Sequence, residues 1–541
     1  MNISEKILKL RKEKGLSQEA FAEKLGVSRQ SVSKWESSGS LPDIDKIIAM
    51  SELFGVSTDY LLKDETAETP QELVTETEEV PEEKENIAED EKITDDGSEA
   101  QSEPAPEKPK KSKRKLFKKI ISVILIILIA VSAVLVPVYS DEIKDYWYEL
   151  NGGKVEYPFV LVHGLGGWGE GSGINNVAQY WGGGAYDLKK NLEVEGFTVY
   201  TPSIGPVSSA WDRACELYAQ LTGTTVDYGE AHSKEHNHER YGRTYTAPLV
   251  ENWGEKINGG QKVKINLVGH SFGGATVRLL ASLLEYGDEA EMKATGDETS
   301  PLFKGGKGDC IHSVTALCAP HNGSTLTEII NTLGSSVGIS DTTDLLMSLC
   351  FGIAGISSPI NGVYDFSLDQ FGIGESDARG AIAALTAAGN DHAAYDLSPD
   401  GAAQLNKKIK TVEGVYYFSY AYSTTSEGSF LGNHLPAAST LPVLYPFALA
   451  MGAYTGTTEG GISIDKSWKE NDGLVNVVSA QYPFGESHTV FPEDKNDIQT
   501  GIWYVAETRK GDHGTVIGLN AKNKPTLNFY TELFEMIENL K

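Results

Sequence analysis

The stretch VKINLVGHSFGG occupies residues 263–274 and joins two different hydrophobic patterns. Apolar and β-branched residues alternate before Gly269, as in a strand, and residues 275–284 have the apolar spacing of a helix. Glycines at 269 and 273 permit a turn sharp enough to hold a serine hydroxyl clear of the backbone. The pattern therefore predicts strand, tight turn and helix, with Ser271 as candidate nucleophile; alternatively, Ser271 is an ordinary turn residue.

Segments with strand character lie on both sides of this stretch and predict an α/β protein. Residues 157–163 form a nearly continuous apolar run, as expected for a parallel strand that is buried on both faces. The other predicted strands are residues 197–201, 264–268, 312–318 and 414–421, and the last helix is residues 525–540. Helical patterns between several of these strands predict a doubly wound, mostly parallel sheet.

A serine nucleophile needs a base, an acid that orients the base, and donors for the developing oxyanion. The glycine-rich turn after the first strand and the residue after the nucleophile predict those donors as the N–H groups of Leu165 and Phe272. In α/β-hydrolase order, the acid and then the base follow the serine. Asp472 and His513 fit this order, but so do the alternatives Asp465 and His488.

A resemblance to a known family favours one of these choices. The chain resembles the secreted lipases of bacilli and staphylococci over residues 155–541, through motifs that occur in the same order: VLVHG at 160–164, YWGG at 180–183, GPVSS at 205–209, WDRACE at 211–216, DYG at 227–229, GRTY at 242–245, VYDF at 363–366, YDLS at 395–398, GNH at 432–434 and ENDG at 470–473. The resemblance implies an α/β-hydrolase fold with a lid, a triad of Ser271, Asp472 and His513, and hydrolysis of triacylglycerol or other fatty-acyl esters.

The same resemblance implies a structural zinc ion in an insertion of the fold. Its ligand positions correspond to Asp212, His232, His238 and Asp391, and His236 is expected to be a non-ligand. Two carboxylates and two imidazoles suit a closed tetrahedral zinc site. The family's calcium site corresponds to Ser439, Thr515 and Asn520, which bring no negative charge, so no calcium is predicted.

Residues 325–388 are predicted to form the lid. Apolar side chains are crowded there among glycine and serine, at Leu345, Leu346, Leu349, Phe351, Ile353 and Ile356. A lid that exposes an apolar face to lipid when it opens would have this composition. The alternative is a buried helical insertion.

Residues 1–63 have the pattern of five short helices. The segments LSQEAFA at 16–22, LGVS at 25–28 and VSKWE at 32–36 resemble the Cro/C1-type helix-turn-helix DNA-binding domain. The resemblance implies base contacts from Arg29, Gln30, Ser33 and Lys34 and a phosphate contact from Gln18. Ten basic and nine acidic residues give this segment a net charge of +1. Because that charge is low for a DNA binder, counterion release would be modest unless a homodimer doubles the contacts. The alternative is a helical module that makes protein contacts only.

Residues 64–119 and 120–139 separate the two folded regions. Residues 64–107 carry eighteen acidic and two basic side chains, which predicts a disordered linker. Residues 108–119 carry eight basic and no acidic side chains, and residues 120–139 contain no formal charge. Twenty helical residues span about 30 Å, the thickness of a bilayer core, so residues 120–139 are predicted to be a transmembrane helix. The preceding basic cluster places the N-terminus in the cytoplasm and the lipase domain outside.

The whole chain has 541 residues and a formal net charge of −29. Its four cysteines are too few for a disulfide framework and are predicted to be small buried residues, with pairing of Cys310 and Cys318 left open. The sequence thus predicts a membrane-anchored serine lipase fused to a cytoplasmic DNA-binding domain. The alternative is a membrane-tethered transcription regulator whose outer domain senses acyl ligands.

Overall fold

The computed structural model describes two units of the chain, Met1–Pro109 and Lys110–Lys541. The described residues are 3–14, 16, 18–25, 32, 35, 36, 46, 50, 51, 53, 54, 56, 156–257, 260–336, 364–373, 380, 387–428, 432–519 and 523–540. The predicted linker at 64–119 and the predicted membrane span at 120–139 lie outside these residues. Among the described residues, no helix combines the length and apolar character that a membrane crossing requires.

The first unit contains two helices in the described part, α1 (Ile3–Glu13) and α2 (Gln18–Leu25). Their apolar sides meet in one cluster of buried side chains: Ile7, Leu10, Phe21, Ala22, Leu25, Val32, Trp35, Met50 and Phe54. Helical spacing brings Ile7 and Leu10 to one face of α1 and Phe21 and Leu25 to one face of α2. Both helices agree with the short-helix pattern that the sequence predicts for residues 1–63.

The second unit is built on a seven-stranded sheet in which every pair of neighbouring strands is parallel. Its strands are β1 (Phe159–Val162), β2 (Val199–Tyr200), β5 (Ile265–His270), β6 (Ile311–Leu317), β7 (Tyr416–Tyr420), β13 (His488–Val490) and β14 (Trp503–Val505), in the order β13-β14-β7-β6-β5-β1-β2. The remaining strands form small two-stranded pairs: β3 (Thr225–Asp227), β4 (Tyr241–Thr244), β8 (Tyr422–Ser423), β9 (Thr425–Glu427), β10 (His434–Pro436), β11 (Gly456–Thr457), β12 (Ser463–Ile464) and β15 (Arg509–Lys510).

Helices cover both faces of this sheet. In chain order they are α3 (Leu188–Val194), α4 (Ala210–Thr222), α5 (Glu230–His236), α6 (Gly273–Tyr286), α7 (Glu289–Thr295), α8 (Thr325–Ser336), α9 (Ala393–Asp396), α10 (Pro399–Lys408), α11 (Tyr445–Ala453), α12 (Val477–Gln481) and α13 (Asn523–Glu538). The alternation of β1 separates the two cores: Val160 and Val162 pack with α4 and α6, whereas Phe159 and Leu161 pack with α3 and α13.

The order of the strands fixes where a site is expected. The chain moves outward from β1 to β2 and then returns to the other side of β1 as β5, so the winding direction reverses between β1 and β5. Crevices at such switch points lie outside the carboxyl ends of the strands. The loop after β1 and the turn after β5 therefore meet at one edge of the sheet.

The five predicted strands and the last helix are confirmed, with ends shifted by one or two residues. Two strands of the sheet, β13 and β14, were not predicted, because each has only three residues and all three residues of β13 are exposed. Cys215, Cys310 and Cys318 are buried and unpaired. The open possibility of a bond between Cys310 and Cys318 is wrong, because these residues flank opposite ends of the extended strand β6.

Candidate active site and metal centre

The turn after β5 holds Ser271 in a backbone conformation that few serines adopt. Its φ is +56°, in the left-handed region, and its N–H donates to the Leu317 carbonyl. A Cβ on Gly269 would lie 2.4 Å from the Gly273 carbonyl oxygen, and one on Gly273 would lie 2.3 Å from the Val162 carbonyl oxygen. Both positions thus require glycine, and the strained conformation of Ser271 is held by close packing of strand, turn and helix.

His513 and Asp472 form a buried, hydrogen-bonded pair. The His513 Nδ1 lies 2.7 Å from the Asp472 Oδ2, and the backbone N–H of His513 donates to the backbone carbonyl of Asp472. The other carboxylate oxygen of Asp472 accepts from the backbone N–H groups of Leu474 and Val475 at 3.0 and 2.8 Å. Three hydrogen bonds, two from backbone N–H groups and one from the His513 ring, therefore fix the carboxylate, and the carboxylate in turn orients the ring.

Ser271 and His513 line the same cavity, whose empty space is about 1210 Å³ including its open mouth. The alternatives His488 and Asp465 are elsewhere: His488 is exposed on β13 and stacks on Tyr482, and Asp465 caps the short helix Lys466–Trp468. The structure thus brings together Ser271, Asp472 and His513 and leaves out the two competitors. Most of the lining is apolar, with Leu165, Trp168, Leu326, Leu397, Leu444 and Ile517 among its side chains.

The two predicted oxyanion donors sit at the switch point, on the loop after β1 and at the start of α6. Within the described residues, neither the Leu165 N–H nor the Phe272 N–H has a hydrogen-bond acceptor. Two hydrogen bonds of the His163 ring hold the loop after β1 in place. The His163 Nδ1–H donates to the Gly164 carbonyl, and the backbone N–H of Ile204 donates to the His163 Nε2. Burial and the nearby Arg213 lower the pKa of His163 to about 3, which preserves this neutral tautomer.

Tyr180 and His270 connect the loop after β1 to the loop that carries His513. The Gly164 N–H donates to the Tyr180 hydroxyl at 3.0 Å, and that hydroxyl donates to the His270 Nδ1 at 2.5 Å. The His270 Nε2 then carries the proton and donates to the His513 carbonyl at 3.1 Å. Burial and the His513 ring lower the pKa of His270 well below its usual value, which keeps His270 neutral.

Sequence reasoning did not single out Tyr180 or His270. Both lie in stretches that were used for other reasons, YWGG at 180–183 and the turn at 269–273. A histidine directly before the nucleophile was the available signal. The partners of His270, Tyr180 and His513, are 90 and 243 positions away along the chain, so spacing could not identify them.

The four predicted metal ligands converge in a second cluster. One ligand atom each from Asp212, His232, His238 and Asp391 lies within 4.8 Å of the others. The His232 Nε2 is 3.2 Å from the Asp212 Oδ1 and 3.4 Å from the Asp391 Oδ1, and the His238 Nε2 is 3.4 Å from the Asp391 Oδ2. His236 is outside this group, and its Nδ1 faces the Ala388 carbonyl at 3.4 Å.

The cluster has the chemistry of a cation site. The His238 Nε2 and the Asp391 Oδ2 are buried atoms without a hydrogen-bond partner. Burial and the Asp391 carboxylate raise the pKa of Asp212, an electrostatic cost that a cation between the two carboxylates would remove. The second oxygen of Asp212 accepts from the Gln370 amide at 2.7 Å, which fixes the carboxylate from outside.

The expected calcium position is only partly described. The Thr515 hydroxyl donates to the Asp512 Oδ1 at 3.0 Å and accepts from the Asp512 N–H. Asn520 lies outside the described residues. The absence of calcium therefore stays a prediction.

Of the lid at 325–388, the structure describes α8 and residues 364–373, 380, 387 and 388. Leu326 and Ile330 of α8 pack on Met451, and Leu326 reaches the cavity. The six crowded apolar residues, Leu345, Leu346, Leu349, Phe351, Ile353 and Ile356, lie outside the described residues. Their role as a lid stays a prediction.

In the first unit, Gln18 lies at the start of α2 and donates through its amide to the Glu36 Oε2 at 2.8 Å. Arg11 forms an ion pair with the same carboxylate and donates to the Leu16 carbonyl at 2.6 Å. Burial opposes ionisation of Glu36, but the Arg11 and Gln18 hydrogen bonds prevail and lower its pKa. Arg29, Gln30, Ser33 and Lys34 lie outside the described residues, so their DNA contacts stay predictions.

Both units of the chain match known protein families. Residues 155–539 match the family model "Lipase-like, C-terminal domain", and residues 7–61 match the model "Helix-turn-helix". Lipase 1 of Staphylococcus aureus is 34% identical over 381 residues, which are 68% of this chain and 52% of that protein. The chain thus spans about half the length of this relative.

Two solved structures are similar to the second unit. EstA from Clostridium botulinum has 36% identity and a TM-score of 0.61, covering 72% of this chain and 88% of its own. Lipase 1 from Pelosinus fermentans has 38% identity and a TM-score of 0.60, covering 71% of this chain and 99% of its own. Because the lipase-like model matches more than half of the chain, the chain belongs to the family of lipase-like C-terminal domains, with a helix-turn-helix segment at residues 7–61.

Proposed function

We propose that residues 155–541 are a serine ester hydrolase of the triacylglycerol-lipase type. The observation that carries this proposal is the buried Asp472–His513 pair, 2.7 Å between Oδ2 and Nδ1, at a cavity that also contains Ser271 on its strained turn. Asp472 keeps the Nδ1 of His513 protonated, so the Nε2 is the free base. The names of the relatives, lipase and EstA, agree with this chemistry.

The reaction follows from the roles of these groups. His513 takes the Ser271 proton as the hydroxyl oxygen attacks the ester carbonyl, and the N–H groups of Leu165 and Phe272 receive the oxyanion. His513 then gives the proton to the leaving alcohol, which leaves an acyl-enzyme on Ser271. Water, deprotonated by His513, attacks this ester, and the fatty acid departs as Ser271 regains its proton.

The apolar lining of the cavity supports fatty-acyl esters as the substrate class. An acyl chain gains about 0.8 kcal/mol for each methylene that leaves water. Leu326, Leu397 and Leu444 would contact such a chain. A polar substrate would find few partners on these side chains.

The ester proposal is tested on the 141–541 fragment with p-nitrophenyl esters of increasing acyl length. We expect turnover, with kcat/KM rising from the acetate to medium and long chains. Ser271→Ala in the same fragment provides the background rate. No turnover by a folded wild-type fragment on any ester would contradict the proposal and would favour the regulator alternative, in which the outer domain binds acyl ligands without turnover.

Zinc is the metal that the second cluster suits best. Asp212, His232, His238 and Asp391 supply two oxygen and two nitrogen ligands, which is a closed tetrahedral set without a position for substrate. We assign the ion a structural role, because it would join helices α4 and α5 to the segment around residue 391.

We further propose that residues 120–139 anchor the enzyme in the cell membrane as a single span. The charge-free apolar run and the basic residues at 108–119 support this topology, with the N-terminus in the cytoplasm and the hydrolase domain outside. Domain boundaries are then 1–63, 64–119, 120–139 and 155–541.

The match of residues 7–61 to a helix-turn-helix model supports DNA binding as a second function of the cytoplasmic segment. Gln18, Arg29, Gln30, Ser33 and Lys34 are the proposed contacts. For the full chain in detergent we expect electrophoretic shifts of DNA fragments selected from random sequence, lost on Arg29→Ala. Because a net charge of +1 gives weak attraction to phosphate, we expect homodimers to be required. If the full chain selects no DNA fragment, the proposal that residues 1–63 bind DNA is contradicted.

A further inference from the structure

A buried cysteine lies beside the candidate active site, and the proposed reaction does not use it. Cys318 directly follows β6, the strand next to β5, and its side chain is completely buried. The backbone N–H of Cys318 donates to the Tyr420 carbonyl at 2.9 Å. The residue before it, Leu317, accepts from the backbone N–H of Ser271. The thiol is therefore placed at the same edge of the sheet as the nucleophile turn.

Cys318 forms a cluster with two histidines of the candidate active site. One ligand atom each from His270, Cys318 and His513 lies within 4.8 Å of the others. The rings of the two histidines also lie together, with their centroids 4.8 Å apart. A thiolate and two imidazoles are ligands that zinc and other thiophilic divalent cations bind well. These three residues are called the thiol cluster below.

The ring of His270 can offer a lone pair to a cation without leaving its position. Its Nε2 carries the proton and donates to the His513 carbonyl, while its Nδ1 accepts from the Tyr180 hydroxyl. A hydroxyl oxygen has two lone pairs, so Tyr180 can accept from both the Gly164 N–H and the ring if the ring proton moves to Nδ1. The Nε2 of the neutral His270 is then free to bind a cation.

The thiol of Cys318 keeps its proton as long as no cation is bound. Burial and the charge of the Asp472 carboxylate raise the pKa of Cys318 well above its usual value. A buried thiol that holds its proton is inert toward oxidants, which argues against a redox role. A bound divalent cation would replace that proton, because coordination deprotonates a thiol, and its charge would offset both the thiolate and the Asp472 carboxylate.

The cavity gives a cation a route to the thiol cluster. His270 and His513 line the cavity, and Cys318 lies behind them. The cluster supplies three ligands, which leaves a fourth position for water from the cavity. The cluster around Asp212 has four ligands and no thiol, so it is expected to fill first and to prefer thiophilic cations less strongly.

We propose that the thiol cluster is an inhibitory site for a thiophilic divalent cation of the class of zinc and cadmium, bound by His270, Cys318 and His513. Binding forms a metal–sulfur bond, breaks the S–H bond of the thiol and passes its proton to water, with no electron transferred. The cation is distinct from the structural ion proposed above, because the two clusters share no residue.

Inhibition follows whichever nitrogen of His513 is the ligand. Through Nε2, the cation occupies the lone pair that would take the Ser271 proton. Through Nδ1, it displaces the hydrogen bond to Asp472 and moves the ring proton to Nε2, so that no free base remains. The inhibition rests on the proposed function, but the binding of the cation does not.

Binding is measured by titrating the 141–541 fragment with cadmium and following the ultraviolet charge-transfer band of the cadmium–thiolate bond. A chain of this extent is expected to fold alone, because Lipase 1 from Pelosinus fermentans aligns over 99% of its own chain with 71% of this one. Every protein carries Ser271→Ala, so that binding is independent of turnover, and Cys350→Ser, because Cys350 lies outside the described residues. The cluster around Asp212 contains no thiol and gives no such band.

We expect the band in the parent fragment and its loss in Cys318→Ser. Cys318→Ala repeats this test without a hydroxyl at the buried position, and the melting temperature of each variant shows that it is folded. His270→Ala is expected to weaken cadmium binding about tenfold or more. The matched control is Cys310→Ser, which replaces another buried, unpaired cysteine directly before β6 and should keep the band.

Hydrolysis of p-nitrophenyl butyrate, with Ser271 restored, measures inhibition. Each protein is compared with its own rate without cadmium. We expect Cys318→Ser to raise the cadmium concentration for half inhibition about tenfold or more, and Cys310→Ser to leave it unchanged. If the fragment hydrolyses no ester, the proposed function fails and the band still tests the thiol cluster. If the fragment hydrolyses ester and shows no band, the thiol cluster fails and the proposed function stands.

Two further results would overturn the proposal. The first is a band, or an inhibition by cadmium, that is equal in the parent fragment and in Cys318→Ser, because the thiolate would then come from another residue. The second is a band that depends on Cys318 in an active fragment that cadmium does not inhibit, because His513 would then not be a ligand.

Discussion

Ser271→Ala is expected to lower kcat for ester hydrolysis by about a million-fold, to the rate left by binding and the oxyanion donors alone. Asp472→Asn should cost about ten-thousand-fold, because the amide would stabilise the wrong tautomer of His513 and leave no free base at Nε2. Asp472 is 1% exposed and each of its carboxylate oxygens already has a partner, so the amide variant keeps its packing but reverses one hydrogen bond. Both values are measured as steady-state rates on p-nitrophenyl esters.

The chain itself offers matched controls for these variants. Asp465 and His488 satisfy the same order along the sequence, but Asp465 only caps residues 466–468 and His488 is exposed on β13. Asp465→Asn and His488→Ala are therefore expected to retain kcat within about twofold. A loss of activity in either control equal to that of Asp472→Asn would contradict the assignment of acid and base.

Much of this site follows from local sequence. The turn that carries Ser271 is predictable because its glycines stand at fixed positions beside the serine between a strand pattern and a helix pattern, although the contact that requires Gly273 is with the distant Val162 carbonyl. The loop after β1 is predictable because Leu165 follows a recognisable buried strand. Local spacing could not distinguish Asp472 from Asp465, because the pairing with His513 joins residues 41 positions apart. The family resemblance made that choice, and the geometry agrees with it.

Features that depend on distant packing were beyond sequence reasoning. Tyr180 reaches His270 across 90 positions, so spacing along the chain could not pair these residues. The strand β14 has three residues, and its hydrogen bonds to β7 rather than its own pattern make it a strand. Residues 428–458 have the composition of a core, and only the exposure of side chains such as Tyr445 and Leu449 shows that part of this stretch lies on the surface.

Removal of the proposed zinc ion is expected to lower the melting temperature of the 141–541 fragment by about 5–10 °C. A ligand that binds only the folded state at a thousand times its Kd contributes about 4 kcal/mol, and a large domain shifts by a few degrees for each kcal/mol. We expect about one zinc per chain by mass spectrometry of the metal content. Asp391→Asn, which removes one ligand and its charge, should lose that zinc and melt at the temperature of the chelated wild type.

His236→Ala is the control for the metal site. Its ring centroid lies 4.6 Å from that of His232, but His236 is outside the four-residue group, so this variant should keep both its zinc and its sensitivity to chelator. Asp391→Asn should be insensitive to chelator, because nothing remains to be removed. If His236→Ala loses its zinc and Asp391→Asn keeps it, His236 is a ligand and Asp391 is not, which would contradict the assigned site. If the melting temperature of metal-free wild type does not respond to added zinc, the assignment of zinc to this site is contradicted. The two buried carboxylates, Asp212 and Asp391, would then need another source of positive charge.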